Sequence, residues 1–440
     1  MKIPQTPPGF TRDRLSKVVN ALSTYRITPE VAGEYLHWDD LRRRNPPEGL
    51  DSRVWWLAIH LQREGLLREF PLTDLNGRSF RFGMPDSVLR WVHSIDRDAA
   101  GRIEVPDDIT NRASRDKYVV SSLIEEAITS SQLEGASTTR RVATKMLESG
   151  RRPRTHGERM IWNNFQAMEW VRAHLEQPFT RDAILELHRV VTVDALDGGS
   201  DGAGRIRRDT ESISVVDHDS NEIVHVPPPA AGLADRMDAM CAFANGEEVG
   251  VFVHPVVRAI LLHFWLAYDH PFVDGHGRTA RALFYWSMLR QGYWLTELLS
   301  ISRVIKKARA QYARAFLLTE DGQRDATYFL LHQLRVVRQA IDDLFAYLKR
   351  KTRELRDVEN HLRDRDDLNH RQLALLARAL RHPAERLTIQ QHQRTSSVVY
   401  QTARTDLLDL AEKGFLQRRK AGHAYVFLVP QDLEHRLAQH

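Results

Sequence analysis

Residues 270–281 read HPFVDGHGRTAR and concentrate groups that suit phosphate chemistry. Gly275 and Gly277 lack a Cβ, so backbone N–H groups in this stretch can approach an anion closely. The stretch runs directly into the helical pattern GRTARALFYWSML. Free N–H groups and the helix dipole favour negative charge at a helix start. The spacing therefore predicts a phosphate-binding loop that opens a helix.

Charged and titratable side chains in the same stretch extend this prediction. Arg278 and Arg281 are three residues apart and share a helix face, and both guanidinium groups can donate bidentately to phosphate. Asp274 offers a hard oxygen ligand suited to Mg²⁺. His270 follows an apolar helical stretch and could accept a proton from an attacking hydroxyl. Together these residues predict nucleotide-dependent group transfer, and the alternative is a polar surface turn with scattered charges.

This stretch resembles the signature of the Fic family, H-P-F-x-(D/E)-G-N-G-R-x-x-R. It matches every fixed position except one, where His276 stands in place of the family's Asn. The resemblance covers about residues 114–300, including the apolar stretch HPVVRAILLHFWLAYDHPF and two short β-branched runs before it. It implies a mainly α fold, with a helical Fic core and a β-hairpin flap.

The resemblance also implies a function, because most studied Fic proteins move AMP from ATP to a Ser, Thr or Tyr hydroxyl of a target protein. The roles that it assigns by position are a general base at His270, a Mg²⁺ ligand at Asp274, phosphate contacts at Gly275, His276 and Gly277, and pyrophosphate contacts at Arg278 and Arg281. The hairpin at 211–226 would dock the target segment by strand addition. The alternative for this hairpin is a mere cover over the core.

A second match lies upstream, in the stretch SSQLEG. Ser130, Glu134 and Gly135 resemble the family's inhibitory motif, (S/T)-x-x-x-E-(G/N). Ser130 and Glu134 are four residues apart, so they can face one side of a helix. A glutamate beside Arg281 would occupy the position of the terminal phosphate and misalign the α-phosphate for attack. The resemblance therefore implies autoinhibition by Glu134, and in some relatives this glutamate also helps water to remove AMP. The alternative is an ordinary solvated glutamate at a helix end.

His276 leaves three hypotheses open. The family's Asn helps to orient the α-phosphate, whereas imidazole is bulkier and carries a charge when protonated. The residue is then a tolerated variant with transferase activity, a change of nucleotide or chemistry, or the mark of a degraded site.

The elements that position these residues divide the sequence into four predicted regions. Residues 1–105 form a Trp-rich, mostly helical domain; 106–300 form the Fic core with its inhibitory helix; 301–360 form a helical linker; and 361–440 form a winged-helix domain. In the core, Gly135 is expected to end the inhibitory helix and Ser137 or Thr138 to cap the next one.

The C-terminal region supplies a second class of function. Two helices, a glycine and a short hairpin follow one another there in the order of a winged helix. Arg404 and the run RRK at 418–420 could contact DNA phosphates. This favours a DNA-binding regulator whose Fic core senses nucleotide, while dimerisation or partner binding are equal alternatives for such a module.

Composition sets the outer limits. The chain has 440 residues, of which 42% are hydrophobic and 28% charged, as in soluble globular proteins. No run of about 18 apolar residues predicts a membrane span, and the first residues lack the apolar core of a secretory signal. Cys241 is the only cysteine and lies in an apolar stretch, which predicts a buried thiol and a cytoplasmic protein. A net charge of +5 does not by itself establish nucleic-acid binding.

Overall fold

The computed structural model of the chain describes residues 3–100, 112–196, 200–217, 221–247, 252–321, 323–363, 367–381, 385–421 and 424–439. The predicted boundary at 105/106 lies outside these residues. The centre of the predicted hairpin, 218–220, is also outside them.

The chain divides into two compact units, each of which is described by itself. The first unit comprises residues 1–103 and 121–341, and the second comprises 104–120 and 342–440. The four-region division drawn from the sequence stays a prediction. No helix in the described ranges is both long and apolar enough to cross a bilayer.

The first part of the chain forms helices and one hairpin. The elements are α1 (Arg12–Thr24), α2 (Trp38–Leu41), α3 (Ser52–Glu64), β1 (Leu67–Thr73), β2 (Ser79–Gly83) and α4 (Asp86–Ile95). Trp38, Trp55 and Trp56 are buried in one apolar cluster, as core anchors should be.

The antiparallel hairpin of β1 and β2 was not predicted from the sequence. Pro71 and alternating charges obscure the strand pattern in LREFPLT. The turn explains why the hairpin forms, because the Asp74 carboxylate accepts the N–H groups of Asn76 and Arg78. Gly77 completes that turn at φ +73°, a conformation that glycine adopts without strain.

A run of helices, interrupted by one hairpin, fills the middle of the chain. The elements are α5 (Arg112–Leu133), α6 (Arg140–Ser149), α7 (His156–Ala173), α8 (Arg181–Thr192), β3 (Val215–Val216), β4 (Ile223–His225), α9 (Leu233–Asn245), α10 (Pro255–Asp269), α11 (His276–Arg290), α12 (Ile301–Lys307), α13 (Arg309–Asp321) and α14 (Thr327–Arg363). The sole cysteine, Cys241, is buried in α9.

Threonine side chains set three of the helix starts. The hydroxyls of Thr139, Thr155 and Thr180 accept backbone N–H groups in the first turns of α6, α7 and α8. The cap of α6 is therefore Thr139, and the expectation that Ser137 or Thr138 caps it is wrong. The error is one residue in a run of three hydroxyl-bearing side chains, all of which suit the position.

Helices α10 and α11 pack against each other at the centre of the first unit. Nearly every side chain of α10 is buried, which is the pattern of a helix surrounded by protein on all sides. Pro255 starts this helix at a position that needs no N–H, and the His254 side chain accepts the N–H of Val256. The short connection from α10 to α11 carries the HPFVDG residues.

The hairpin that the sequence predicts over 211–226 is present but short. Its two strands pair antiparallel, with Val215 opposite His225 and Val216 opposite Ile223. The pair stands as an isolated two-stranded sheet, so it lacks neighbours that would extend it.

The described part of the second unit contains four helices and a small sheet beyond residue 367. These are α15 (His370–Arg381), β5 (Arg386–Thr388), α16 (Ile389–Ser396), α17 (Tyr400–Glu412), β6 (Gln417–Ala421), β7 (Ala424–Leu428) and α18 (Leu433–Gln439). The sheet is antiparallel in the order β5-β7-β6. Leu376, Leu407 and Phe427 lie at the centre of its core.

Candidate active site

His270 ends helix α10 in a left-handed conformation, with φ +42° and ψ +59°. Such a conformation is uncommon for a side chain with a Cβ, and it needs support from its surroundings. Arg207 supplies this support, since its Nε donates to the His270 carbonyl at 2.9 Å and its backbone N–H donates to the Pro271 carbonyl at 2.9 Å. The turn therefore fixes the direction in which the imidazole leaves the helix.

Gly275 allows the loop to close onto helix α8. It adopts φ +84°, and a Cβ at this position would lie 2.5 Å from Cγ2 of Thr192. Glycine is therefore required for both conformation and space.

His188, also on α8, holds the same loop. Its Nδ1 accepts the N–H of Gly204 at 3.0 Å, so its Nε2 is the nitrogen that donates to the Asp274 carbonyl at 2.9 Å. The ring stacks on Phe272, with centroids 3.7 Å apart. Burial lowers the pKa of His188 to about 4, which keeps the ring neutral in this tautomer.

Arg278 lies beneath the loop. Its side chain is fully buried, and Nη1 donates to the Val191 carbonyl at 3.1 Å while Nη2 lies 3.4 Å from the Asp274 carboxylate. That carboxylate is 54% exposed. Arg278 therefore fastens the loop to α8, and Asp274 extends towards solvent.

Arg281 joins the two sequence motifs. Its Nε donates to the Ser130 hydroxyl at 2.8 Å, and its Nη2 donates to the Ser130 carbonyl at 3.0 Å and to Oε1 of Glu134 at 2.8 Å. Glu134 follows the last residue of α5, and Gly135 leaves that helix end at φ +95°. Burial alone would raise the pKa of Glu134, but the charge and hydrogen bond of Arg281 together with the charges of Arg278 and Arg309 outweigh it, and the pKa is lowered.

Gly277 is the point where the Glu134 carboxylate rests on helix α11. A Cβ on Gly277 would lie 2.1 Å from Oε1 of Glu134 and 2.9 Å from Nη1 of Arg281. No larger residue fits at position 277 while the Glu134–Arg281 pair is in place.

These groups open into one cavity of about 270 Å³. The residues of the two sequence motifs that line it are Glu134, His270, His276, Gly277 and Arg281. Most of the other lining residues are apolar or aromatic, namely Leu133, Val215, Val224, Ala267, Tyr268, Tyr312, Ala313, Phe316 and Leu317. His225, Arg309 and Glu320 complete the wall. A cavity lined by apolar and aromatic side chains together with guanidinium groups suits a planar ring that carries phosphates.

Two imidazoles lie side by side in this cavity. The ring centroids of His270 and His276 are 4.2 Å apart. Burial lowers the pKa of His270 to about 4 and the pKa of His276 well below its usual range. Both rings are therefore neutral near pH 7, and a neutral His270 can accept a proton.

One segment of the chain that contributes to this cavity resembles a known family. Residues 178–288 match the model of the Fic/DOC family. This chain carries a Fic/DOC domain. The matched segment contains α8, the flap hairpin, α10, the HPFVDG loop and most of α11, and it supplies 9 of the 17 residues that line the cavity.

Curated relatives of the Fic domain come from Drosophila. The chain is 30% identical over 239 residues to "Protein adenylyltransferase Fic" of Drosophila mojavensis, a match that covers 53% of this chain and 43% of the relative. The protein of the same name from Drosophila melanogaster is 32% identical over 239 residues, covering 53% of this chain and 44% of the relative. The matched segments thus span less than half the length of these relatives.

Solved structures agree in fold. A crystal structure of a Fic family protein from Desulfovibrio desulfuricans G20 has a TM-score of 0.50 at 20% identity and covers 83% of this chain and 99% of that chain. A Fic-1 structure from C. elegans has a TM-score of 0.50 at 18% identity and covers 78% of this chain and 95% of that chain. The mainly α fold with small β-hairpins is therefore confirmed.

The structure places half of the residues predicted from the sequence on the wall of the cavity. The predicted residues that line the cavity are Glu134, His270, His276, Gly277 and Arg281, and those that lie behind or beside it are Ser130, Gly135, Asp274, Gly275 and Arg278. Ser130 nevertheless contacts Arg281 directly.

Sequence reasoning missed four side chains that shape the site: His188, Arg207, His225 and Glu320. Each stands alone in its segment, without a neighbour that would suggest chemistry. The Arg207 stretch GRIRRD, for example, looks like a charged loop in the sequence. Only the fold brings these residues to the site.

Proposed function

We propose that the chain is a protein adenylyltransferase, which moves AMP from ATP to a hydroxyl of a target protein. One observation carries this proposal: the imidazole of His270, which can act as a base, and the guanidinium of Arg281, which can bind phosphate, line the same cavity. The names of the Drosophila relatives support it. In this function the nucleotide base would lie against the apolar residues of the cavity, and the phosphates would lie along Gly277 and Arg281.

In the proposed step, the target hydroxyl oxygen attacks the α-phosphorus of ATP. A new oxygen–phosphorus bond forms, and the bond from the α-phosphorus to the bridging oxygen of pyrophosphate breaks. His270 accepts the hydroxyl proton, which its neutral ring allows. Pyrophosphate leaves with the electron pair of the broken bond, and Arg281 balances its charge.

The carboxylate of Asp274 suits a Mg²⁺ ion that also binds the phosphates of the nucleotide. Among the described residues, no group of three or more His, Cys, Asp or Glu side chains could hold a metal by itself. Asp274 offers one exposed carboxylate beside the loop, and Mg²⁺ is commonly held by one or two carboxylates together with substrate phosphates. Such an ion would neutralise charge on the phosphates.

Glu134 would restrain this reaction in the proposal. Its carboxylate binds Arg281 and lies against Gly277, where the terminal phosphate of ATP would otherwise bind. Removal of AMP by water, assisted by Glu134, is the reverse activity that the same arrangement would allow.

The target protein would dock on the flap. Ile223 and Val226 are exposed on or beside β4, with relative exposures of 61% and 54%. An extended segment could add to this strand and present its hydroxyl to His270.

Incubation with nucleotides labelled at the α-phosphate tests the proposal. Wild type and Glu134→Gly are each supplied with ATP, GTP, UTP or CTP plus Mg²⁺ and a lysate of possible targets. We expect label on protein from ATP, and more of it with Glu134→Gly. The matched control is Glu134→Gly/His270→Ala, which should bind ATP but transfer no label. Absence of label in every combination would contradict the proposal.

His276 keeps one alternative open, that of altered or lost catalysis. Its imidazole lies in the cavity where the family signature has an amide, and its Nδ1 has no hydrogen-bond partner in the described structure. Besides a tolerated variant with transferase activity, the two alternatives are a Fic protein that uses a different nucleotide and one whose site is degraded. Binding and transfer of each nucleotide, measured for His276→Asn and for its parent, distinguish a change of nucleotide from a degraded site.

A second candidate function concerns the second unit, which we propose to be a winged-helix module that binds DNA. Helices α16 and α17 are followed by the β6–β7 hairpin, and β5 adds the third strand. Six exposed basic side chains lie on these elements and have no ion-pair partner in the described part of the chain: Arg386, Arg394, Arg404, Arg418, Arg419 and Lys420. Dimerisation or binding of a protein partner are the alternatives for this module.

Salt dependence of duplex binding tests the DNA candidate. The full chain and the variant Arg419→Ala/Lys420→Ala are titrated with duplex DNA at several salt concentrations. Loss of two phosphate contacts should lower the slope of log K against log salt by about 2. Arg53→Ala, on α3 of the first unit, is the control. Equal slopes for all three proteins would contradict DNA binding by this surface.

A further inference from the structure

His225 connects the flap to the rest of the site. It lies at the end of β4, its side chain is largely buried, and both ring nitrogens have partners. Nε2 lies 2.7 Å from the Tyr268 carbonyl, and Nδ1 lies 2.9 Å from Oε2 of Glu320. A carbonyl only accepts hydrogen bonds, so Nε2 carries a proton. Opposite an ionised carboxylate Nδ1 also donates, and the ring is then an imidazolium.

This pair lies at the wall of the cavity, close to the base. His225, Tyr268 and Glu320 all line it, and they come from β4, α10 and α13. The ring centroids of His225 and His270 are 5.9 Å apart. The transfer step described above uses neither His225 nor Glu320.

We propose that His225 and Glu320 form a positioning pair, which fastens strand β4 of the flap over the cavity and holds a positive charge beside His270. This inference rests on the proposed transfer reaction, in which His270 is the base.

The electrostatics support the pair. Burial alone would lower the pKa of His225, but the hydrogen bond and the charge of Glu320 outweigh it, and the pKa is raised. Asp269 acts in the same direction. Burial lowers the pKa of His270 to about 4, and the charge of His225 contributes to that lowering.

Other charged or titratable groups also act on His270. Glu134 raises its pKa, Arg207 lowers it, and His276 is the adjacent imidazole. The variants below leave these three residues unchanged, so any change can be assigned to the pair.

The charge on His225 should change how transfer depends on pH. A base must be neutral, so activity falls as the pH drops through the pKa of His270. A neighbouring cation lowers that pKa and keeps the base neutral in more acidic solution. Removing the cation should raise the pKa and move the acid limb of the pH profile upward. For one charge at this separation near a protein surface, we expect the pKa of His270 and the acid limb to rise by about one to two pH units.

The first experiment needs no catalytic activity. The full chain is labelled with ¹⁵N-histidine, and the His270 resonances are identified by their loss in His270→Ala. Their titration is then followed in wild type, His225→Gln and Glu320→Gln. Both variants should raise the titration midpoint of His270, because Gln at 225 carries no charge and Gln at 320 no longer holds the imidazolium.

A matched control is available on the same helix. His254 starts α10 and lies 3.0 Å from a carboxylate oxygen of Asp96, so it is also an imidazole–carboxylate pair. It is separated from His270 by the length of the helix, about 22 Å. His254→Gln should leave the titration of His270 unchanged. An unchanged His270 midpoint in both His225→Gln and Glu320→Gln would overturn the proposal.

The second experiment measures label transfer against pH in the Glu134→Gly background. His225→Gln and Glu320→Gln should move the acid limb upward and raise the KM for ATP, because the flap loses its fastening. If the rate falls while the acid limb and the KM for ATP stay unchanged, the two residues have a merely structural role, and the proposed positioning of His270 is contradicted. Absence of label in the Glu134→Gly parent would contradict the proposed function instead, while the resonance titration would still decide the pair.

Discussion

Replacing Glu134 by Gly should change stability and nucleotide binding in opposite directions. The change leaves the Arg281 guanidinium, which is 2% exposed, without its ionic partner. Breaking a fully buried pair costs about 3–5 kcal/mol, whereas an exposed pair contributes about 0–1 kcal/mol. Glu134 is 32% exposed and Arg281 keeps both bonds to Ser130. We therefore expect the free energy of unfolding to fall by about 1–3 kcal/mol.

A triphosphate should restore what the Glu134→Gly variant loses, since its terminal phosphate can pair with the freed guanidinium. Saturation at 100 times Kd stabilises a folded protein by about 2.7 kcal/mol. Thermal unfolding with and without ATP and Mg²⁺ measures both the loss of stability in the variant and the stabilisation by the nucleotide. The rise in Tm on adding ATP should be larger for Glu134→Gly than for wild type and should vanish for Glu134→Gly/Arg281→Ala. Glu134→Gln, which can still accept from Arg281, should lie between wild type and Glu134→Gly.

Two results would refute this reasoning. If Glu134→Gly unfolds at the same temperature as wild type, the pair with Arg281 contributes nothing to stability. If ATP raises Tm equally in wild type, Glu134→Gly and the double variant, Arg281 is not the position that the phosphate takes.

Four further predictions concern single side chains. His270→Ala in the Glu134→Gly background should slow label transfer by about 10²–10⁴-fold while Kd for ATP, measured by calorimetry, stays nearly unchanged; an unaltered rate would exclude His270 as the base. Gly277→Ala should destabilise wild type in urea unfolding more than it destabilises Glu134→Gly, because the added Cβ meets the Glu134 carboxylate; equal losses would contradict that contact. His276→Asn in the Glu134→Gly background should match or raise the labelling rate, and a loss of labelling would give the imidazole a specific role. Burial lowers the pKa of His188 to about 4 in the folded protein, so on acidification the unfolded chain binds this proton first. The free energy of unfolding should therefore fall as the pH drops from about 6.5 towards 4, and it should fall less steeply for His188→Gln. Urea unfolding measures both proteins, and an equal fall in the two would contradict a buried, neutral His188.

The sequence predicted those parts of the site in which chemistry and spacing are local. Gly275, Gly277 and the two arginines lie within two turns of a helix start, so their types alone indicate an anion site. The contact between Glu134 and Arg281 spans 147 positions, and only the family resemblance connected the two. The helix that follows the HPFVDG loop was predicted from the local pattern GRTARALFYWSML, and it forms as α11.

The remaining parts depend on distant contacts. His188 and His225 act on the HPFVDG loop from α8 and β4, and nothing in their own segments distinguishes them from buried core histidines. Strands β3 and β4 are shorter than the β-branched runs SISVV and EIVHV, because no neighbouring strand continues the ladder. The β1–β2 hairpin depends on a turn at Asp74 whose hydrogen bonds are visible only in the structure.

Cys241 makes the molecule convenient for site-specific spectroscopy. It is the only sulfhydryl in the chain, it is buried in α9, and burial raises its pKa to about 12. Almost none of it is thiolate at neutral pH, so it should react very slowly with maleimides. A cysteine introduced at Val226, which is 54% exposed beside the flap, would therefore take up a fluorophore or spin label selectively. Such a probe can follow the flap over the cavity without first removing the native cysteine.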